Sequence, residues 1–125
     1  MEESKRDEAS VEKEAAPQAT RLMLFIPQSM KLLREETISV KALTDDGIVD
    51  TARDDLVELS INKESQTCFK NGEKAVKVQL NKGEADAQIM TGSVMETVIF
   101  RATWISGKSP LQSIVTNILV GGLLI

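Results

Sequence analysis

Thr37-Ile38-Ser39-Val40-Lys41-Ala42 runs directly into Leu43-Thr44-Asp45-Asp46-Gly47. Ile38, Val40 and Ala42 fall on one side of an extended chain, and Thr37, Ser39 and Lys41 on the other. That period of two is what a half-buried strand requires. Asp-Asp-Gly then ends the strand, because Asp bonds nearby backbone and Gly takes the positive φ that other residues resist. The same unit recurs downstream in Val57-Glu58-Leu59-Ser60-Ile61 and in Val76-Lys77-Val78-Gln79-Leu80, the latter followed by Asn81-Lys82-Gly83. Ala85 to Ile89 turns near Gly92, Val98 to Trp104 turns at Ser106-Gly107, and Ile114 to Val120 closes the series. Upstream, Arg21 to Ile26 is a mostly apolar run stopped by Pro27. After residue 20 no segment keeps a 3.6 period, and Met30 to Glu35 is long enough for one helical turn only. Seven to eight short strands of this kind predict an all-β antiparallel sandwich or barrel. Its expected core is Ile38, Val40, Val57, Leu59, Ile61, Val76, Val78, Leu80, Ile89, Val98, Phe100 and Trp104. About a dozen such side chains, each contributing roughly 1.5–3 kcal/mol when buried, can support a domain of about 105 residues.

The two ends read differently. Residues 1–19 carry six acids (Glu2, Glu3, Asp7, Glu8, Glu12, Glu14) against three bases (Lys5, Arg6, Lys13), and Val11 is their one branched apolar residue. Such a segment buries too little surface to offset its chain entropy, so it is expected to be a disordered acidic tail or linker. A short frayed helix over Ser10–Ala16, stopped by Pro17, is the alternative. The folded domain is expected over residues 20–125. In the last strand, parity turns Ile114, Thr116, Ile118 and Val120 inward with Gln112, and turns Ser113, Val115, Asn117 and Leu119 outward. A bulge near Asn117 would reset that assignment. Gly121-Gly122 then breaks the strand, and Leu123, Leu124 and Ile125 fold back or pair with a neighbour.

Composition removes several classes of chemistry. The chain of 125 residues has no His, one Cys, and 15 Lys+Arg against 19 Asp+Glu, a net charge of −4. Without His there is no Ser-His-Asp or Cys-His couple. A lone Cys allows no intrachain disulfide and no thiolate zinc cage. Nucleic-acid binding needs a basic face, and here the bases are dispersed, acids interleave with them, and aromatics make up 3% of the residues. The N-terminus has no apolar core for a secretory signal, which places the protein in the cytoplasm if the chain is complete and outside the cell if it is cut from a secreted protein. The longest apolar run, Ile118 to Ile125, is far below the roughly 20 residues a bilayer-crossing helix needs, so membrane insertion is not expected.

The strand run from Thr37 to Gly47 resembles the second strand and following turn of bacterial Ig-like domains of the invasin/intimin type. Val57 to Ile61 is similar to their next core strand. Leu80-Asn81-Lys82-Gly83-Glu84-Ala85 resembles the step into a later strand, and Thr97 to Thr103 resembles a strand ending in Ala-Thr. Ig-like accessory domains of glycoside hydrolases carry similar patterns. The resemblance spans about residues 20–120 and implies an Ig-like β-sandwich that serves as a spacer, adhesive or accessory module, with no catalytic residues to carry over. The chain departs from the Ig pattern in having no Tyr for a tyrosine corner and no second Cys for an inter-sheet disulfide.

One polar constellation could hold a ligand. Asp45, Asp46, Asp50, Asp54 and Asp55 put five carboxylates within eleven residues, and calcium takes about six to eight oxygen ligands. The spacing is not that of an EF-hand, and turn chemistry accounts for the same residues. Calcium apart, no cofactor is expected. A glycosidase needs two acids flanking a cleft, whereas Glu58 and Asp86 occupy solvent-facing strand positions. Cys68 is expected to be a packed or half-buried structural thiol, and Trp104 to continue the core face of Val98, Phe100 and Ala102. These readings predict a non-enzymatic structural or protein-interaction module, one part of a larger cell-surface or carbohydrate-active protein. The alternative is a self-assembling subunit that adds a strand to a neighbour through its apolar terminus. A protein partner or self-association is expected in both cases.

Overall fold

The computed structural model describes residues 17–122. Among them there is no helix, and nine strands form two sheets. In chain order they are β1 (Arg21–Phe25), β2 (Ser29–Met30), β3 (Glu35–Leu43), β4 (Leu56–Ile61), β5 (Cys68–Phe69), β6 (Ala75–Gln79), β7 (Glu84–Met90), β8 (Glu96–Ser106) and β9 (Ile114–Val120). One sheet has the order β1-β3-β7-β5 and the other β2-β9-β8-β4-β6. With the two-residue strands β2 and β5 left aside, the chain crosses from sheet to sheet between β3 and β4, between β6 and β7 and between β7 and β8, which is the connectivity of an Ig-like sandwich.

The alternation in the sequence sets which face of each strand turns inward. Along β3, Ile38, Val40 and Ala42 are buried; along β4, Val57, Leu59 and Ile61; along β8, Val98, Phe100 and Ala102. In β9, Ile118 and Val120 are buried, Ile114 and Thr116 half-buried, and Val115, Asn117 and Leu119 exposed. The β8–β9 register runs unbroken from Glu96↔Val120 to Ala102↔Ile114, so there is no bulge at Asn117. A bulge lies instead in β8. Leu56 pairs with Ser106 but Val57 with Trp104, which leaves Ile105 as the extra residue.

Several details depart from the sequence reading. There are nine strands instead of seven to eight because β2 and β5 have two residues each, too few to show alternation. β2 runs parallel to β9, so the sheet is not wholly antiparallel. Met30 belongs to β2 and Glu35 begins β3, with a turn between them in which Leu33 takes φ 53°; no helical turn forms there. Val76, Val78 and Trp104 are half-buried against the core, the two valines because β6 is an edge strand. Leu22, Leu24, Met30, Phe69 and Leu111 join the core. So does Ala19, assigned above to the tail, whose amide donates to Asp50 Oδ2 at 2.9 Å. Residues 1–16, which include the Ser10–Ala16 segment, and residues 123–125 lie outside the described residues.

Val40 is wholly buried between β1 and β7, whereas Lys41 points outward, 3.5 Å from Glu84 and over the ring of Phe25. Val40→Asp should therefore cost at least about 3 kcal/mol, because it buries an unpaired charge. Lys41→Gln should cost less than about 1 kcal/mol, the scale of an exposed ion pair. Urea unfolding of both variants checks this, and equal losses would mean that the strand register is wrong.

Candidate functional site

The five aspartates of the sequence cluster are held apart by the loop that carries the chain from β3 to β4. Asp45 and Asp46 sit exposed on the Thr44–Gly47 turn, where the Gly47 amide donates to Thr44 O and Asp45 accepts from Thr20 Oγ at 2.6 Å. Asp50 is half-buried and accepts the amides of Ala19 and Ala52, which closes a local turn. Asp54 is exposed, and its backbone carbonyl accepts from the Gln79 side-chain amide. Asp55 is buried on the far side of the chain from Asp54. Among the described residues no three His, Cys, Asp or Glu side chains are grouped to hold one metal ion. The structure thus uses Asp45, Asp50 and Asp55 singly as hydrogen-bond acceptors, leaves Asp46 and Asp54 exposed, and does not bring the five together as a calcium cage.

Asp55 is the centre of a buried polar cluster. Arg53 Nε donates to its Oδ1 and Arg53 Nη2 to its Oδ2, each at 2.9 Å, and both side chains are 0% exposed. The indole N–H of Trp104 donates to Oδ2 at 2.8 Å. The guanidinium also reaches the Ser109 hydroxyl at 3.0 Å and the Ser109 carbonyl. Two buried charges are tolerated here because almost every donor and acceptor is used, and the planar Arg fork matches a carboxylate. The β8 bulge delivers Trp104 to the carboxylate, and Gly107 lets the backbone pass close by, since a Cβ there would collide with the Asp55 side chain. Burial alone would push the Asp55 carboxyl up. The hydrogen bonds from Arg53 and Trp104, together with the Arg53 charge, outweigh it and hold the carboxyl below the usual carboxylate range. Sequence reasoning grouped Asp55 with the acidic turn residues and did not single out Arg53. The available signal was an Arg two residues before an Asp at the mouth of an apolar strand.

The remaining candidates separate in space. Glu58 projects from β4 on the outward face of one sheet, and Asp86 projects from β7 on the outward face of the other, where it accepts from Ser39 Oγ at 2.7 Å. Two acids on opposite faces cannot flank one glycosidic bond. Cys68 is half-buried in β5 beside Met90. A cleft of about 220 Å³ opens where β6 and β7 part, with Phe69, Val76 and Ala87 as its apolar floor and Lys70, Asn71 and Gln88 on its rim. That is below the roughly 300–1,000 Å³ of ordinary small-ligand sites.

No family model matches the chain, and no curated protein matches it. Solved structures do. A glycosyl hydrolase family 2 member from Bacteroides cellulosilyticus superposes with a TM-score of 0.64 at 14% identity, over 82% of this chain and 14% of its own. The β-glucuronidase of Parabacteroides merdae superposes with a TM-score of 0.55 at 13% identity, over 82% of this chain and 12% of its own. The likeness is one of fold. At this identity it extends to the sandwich alone, and the chain spans only a small part of the length of either enzyme.

Removing one member of the buried pair should be costly. Asp55→Asn leaves the Arg53 charge uncompensated and should cost about 3–5 kcal/mol, whereas the double change Arg53→Met with Asp55→Leu should recover most of it. Because the folded carboxyl stays charged to lower pH than the unfolded one, the wild-type pair contributes fully above about pH 5, and the contribution falls as pH drops through the folded value. Trp104, the single Trp, reports on both by its fluorescence during urea titrations at pH 3 to 7. A wild-type midpoint with no more acid sensitivity than that of the double variant would overturn this account.

Proposed function

We propose that this chain is a non-catalytic Ig-like module, a spacer and interaction platform within a larger carbohydrate-active protein. The observation that carries the reading is the proportion of the fold likeness: most of this sandwich superposes on about one-seventh of a glycosidase chain. The dispersal of the carboxylates supports it, because acid–base work on a sugar needs two acids on one cleft. So does the position of the most heavily hydrogen-bonded polar group, since the Arg53–Asp55 pair is sealed from substrate. The sequence resemblance to invasin/intimin-type domains points to the same class of role, a rigid unit that sets distance and presents surface. In this role the chain positions other parts of an assembly and turns over nothing itself.

A panel of chromogenic glycosides and esters, assayed with the purified chain, tests this. The expected result is a rate indistinguishable from buffer. Turnover that copurifies with the protein and is lost on Glu58→Gln or Asp86→Asn would replace the proposal with an enzyme.

A further inference from the structure

The sandwich is open along one side, where β6 edges its sheet and β7 is covered only at its far end by the two residues of β5. Ile61 N donates to Lys74 O and Leu80 N to Asp55 O, so the even-numbered residues of β6 are the ones that bond β4. Ala75, Lys77 and Gln79 therefore turn their backbone N–H and C=O groups to the open side, where no described residue bonds them. Val76 and Val78 are half-buried on the inward face of β6, and Ala85 and Ala87 are half-buried on β7. The cleft of about 220 Å³ floored by Phe69, Val76 and Ala87 lies in this seam. Of the three lysines beside it, Lys70 lies 3.7 Å from Glu35, and Lys74 donates to the carbonyls of Ser65 and Thr67. Lys77, at the centre of the edge, is exposed; it is the register partner of Glu58 on β4 but forms no ion pair with a described residue.

We propose that the β6 edge takes up an extended segment of another protein as a further antiparallel strand, with an acidic residue level with Lys77 and a small apolar residue on either side of it. Strand addition satisfies the backbone groups of Ala75, Lys77 and Gln79, and the antiparallel pairing is the more stable one per residue. The added residue level with Lys77 faces outward as Lys77 does, and its two neighbours face in. The acid thus meets Lys77 at the surface, while the apolar pair lies against Val76 and Val78, with one side chain entering the cleft. A second copy of this chain fits less well. Two copies joined antiparallel through β6, in the register that uses all three edge residues, would set Lys77 directly against the second copy's Lys77, and like charges so placed are destabilising. This partner is the counterpart of the interaction role proposed above and rests on it; that role is tested by turnover and this edge by binding, so each can fail alone.

The probe is the acetylated and amidated peptide Ser-Thr-Val-Glu-Val-Thr-Ser, titrated into the purified chain and followed by its backbone amide NMR signals. Binding should saturate below about 5 mM and slow hydrogen exchange at the amides of Ala75, Lys77 and Gln79. Methylating the peptide's Glu amide nitrogen, which would point at Lys77 O, should weaken binding at least about tenfold. Methylating the amide nitrogen of the second Val, which would point away, should change it by less than about threefold. The chain should prefer this peptide by about threefold over the one with Lys in place of Glu, and Lys77→Glu should reverse that preference. No saturable binding, protection at other amides, equal losses from the two methylations or a preference that Lys77→Glu leaves unchanged would each overturn the proposal. Slowing of the same three amides as the protein concentration rises, with no peptide present, would assign the edge to a second copy and overturn it as well.

Discussion

A single bidentate ion pair, Arg53 with Asp55, organises one whole pole of this sandwich. It is wholly enclosed, so its two charges must be satisfied from within, and the groups that satisfy them come from separate parts of the chain. Trp104 comes from β8 and Ser109 from the turn before β9. The backbone of the same segment extends the grip, since Arg53 O accepts from Gly83 and Asp55 O from Leu80. The crossings from β3 to β4 and from β6 to β7, and the turn from β8 to β9, are thereby tied at one place. The lone Cys allows no inter-sheet disulfide, and this buried pair is where those segments meet.

The strand faces were legible because burial on one side writes a period of two into the sequence. Ile38/Val40, Val57/Leu59/Ile61, Val98/Phe100 and Ile118/Val120 all read correctly for that reason. What could not be read was whatever depends on contacts distant in sequence. The two-residue strands β2 and β5 are defined by their partners β9 and β7 and carry no pattern of their own. Val76 and Val78 alternate as well as any core pair but lie on an edge strand, and alternation does not report whether a strand is central.

The acidic loop shows the same limit for the candidate site. Asp45, Asp46, Asp50, Asp54 and Asp55 look equivalent in one dimension. In the fold two are exposed on a turn, one closes a local turn, one faces water and one is buried. Which is which depends on Trp104 and Ser109, roughly fifty residues away. Trp104 was assigned to the core for its apolar ring, and the ring does pack there, but the indole N–H also needs a partner once half-buried, and that need joins it to Asp55.

The described chain enters the sandwich at the pole of Asp50 and Gly83 and leaves it at the opposite pole, beside Leu32. Near the exit, β2 and β9 lie side by side and parallel, joined at Ser29↔Leu119 and Met30↔Val120 and by the Gly121 amide on Met30 O. Tension applied across the two ends draws β2 toward one pole and β9 toward the other. The bonds between them lie across the pull and are loaded in shear, so they must rupture together instead of opening one at a time. Resistance to such a load is set by the rate of unfolding and not by the equilibrium stability. The β1–β3 ladder and the bonds of Thr20 and Leu22 to Gln112 stand ahead of them on the path of the load, so the β2–β9 bonds are a second point of resistance, reached once β1 has been drawn away.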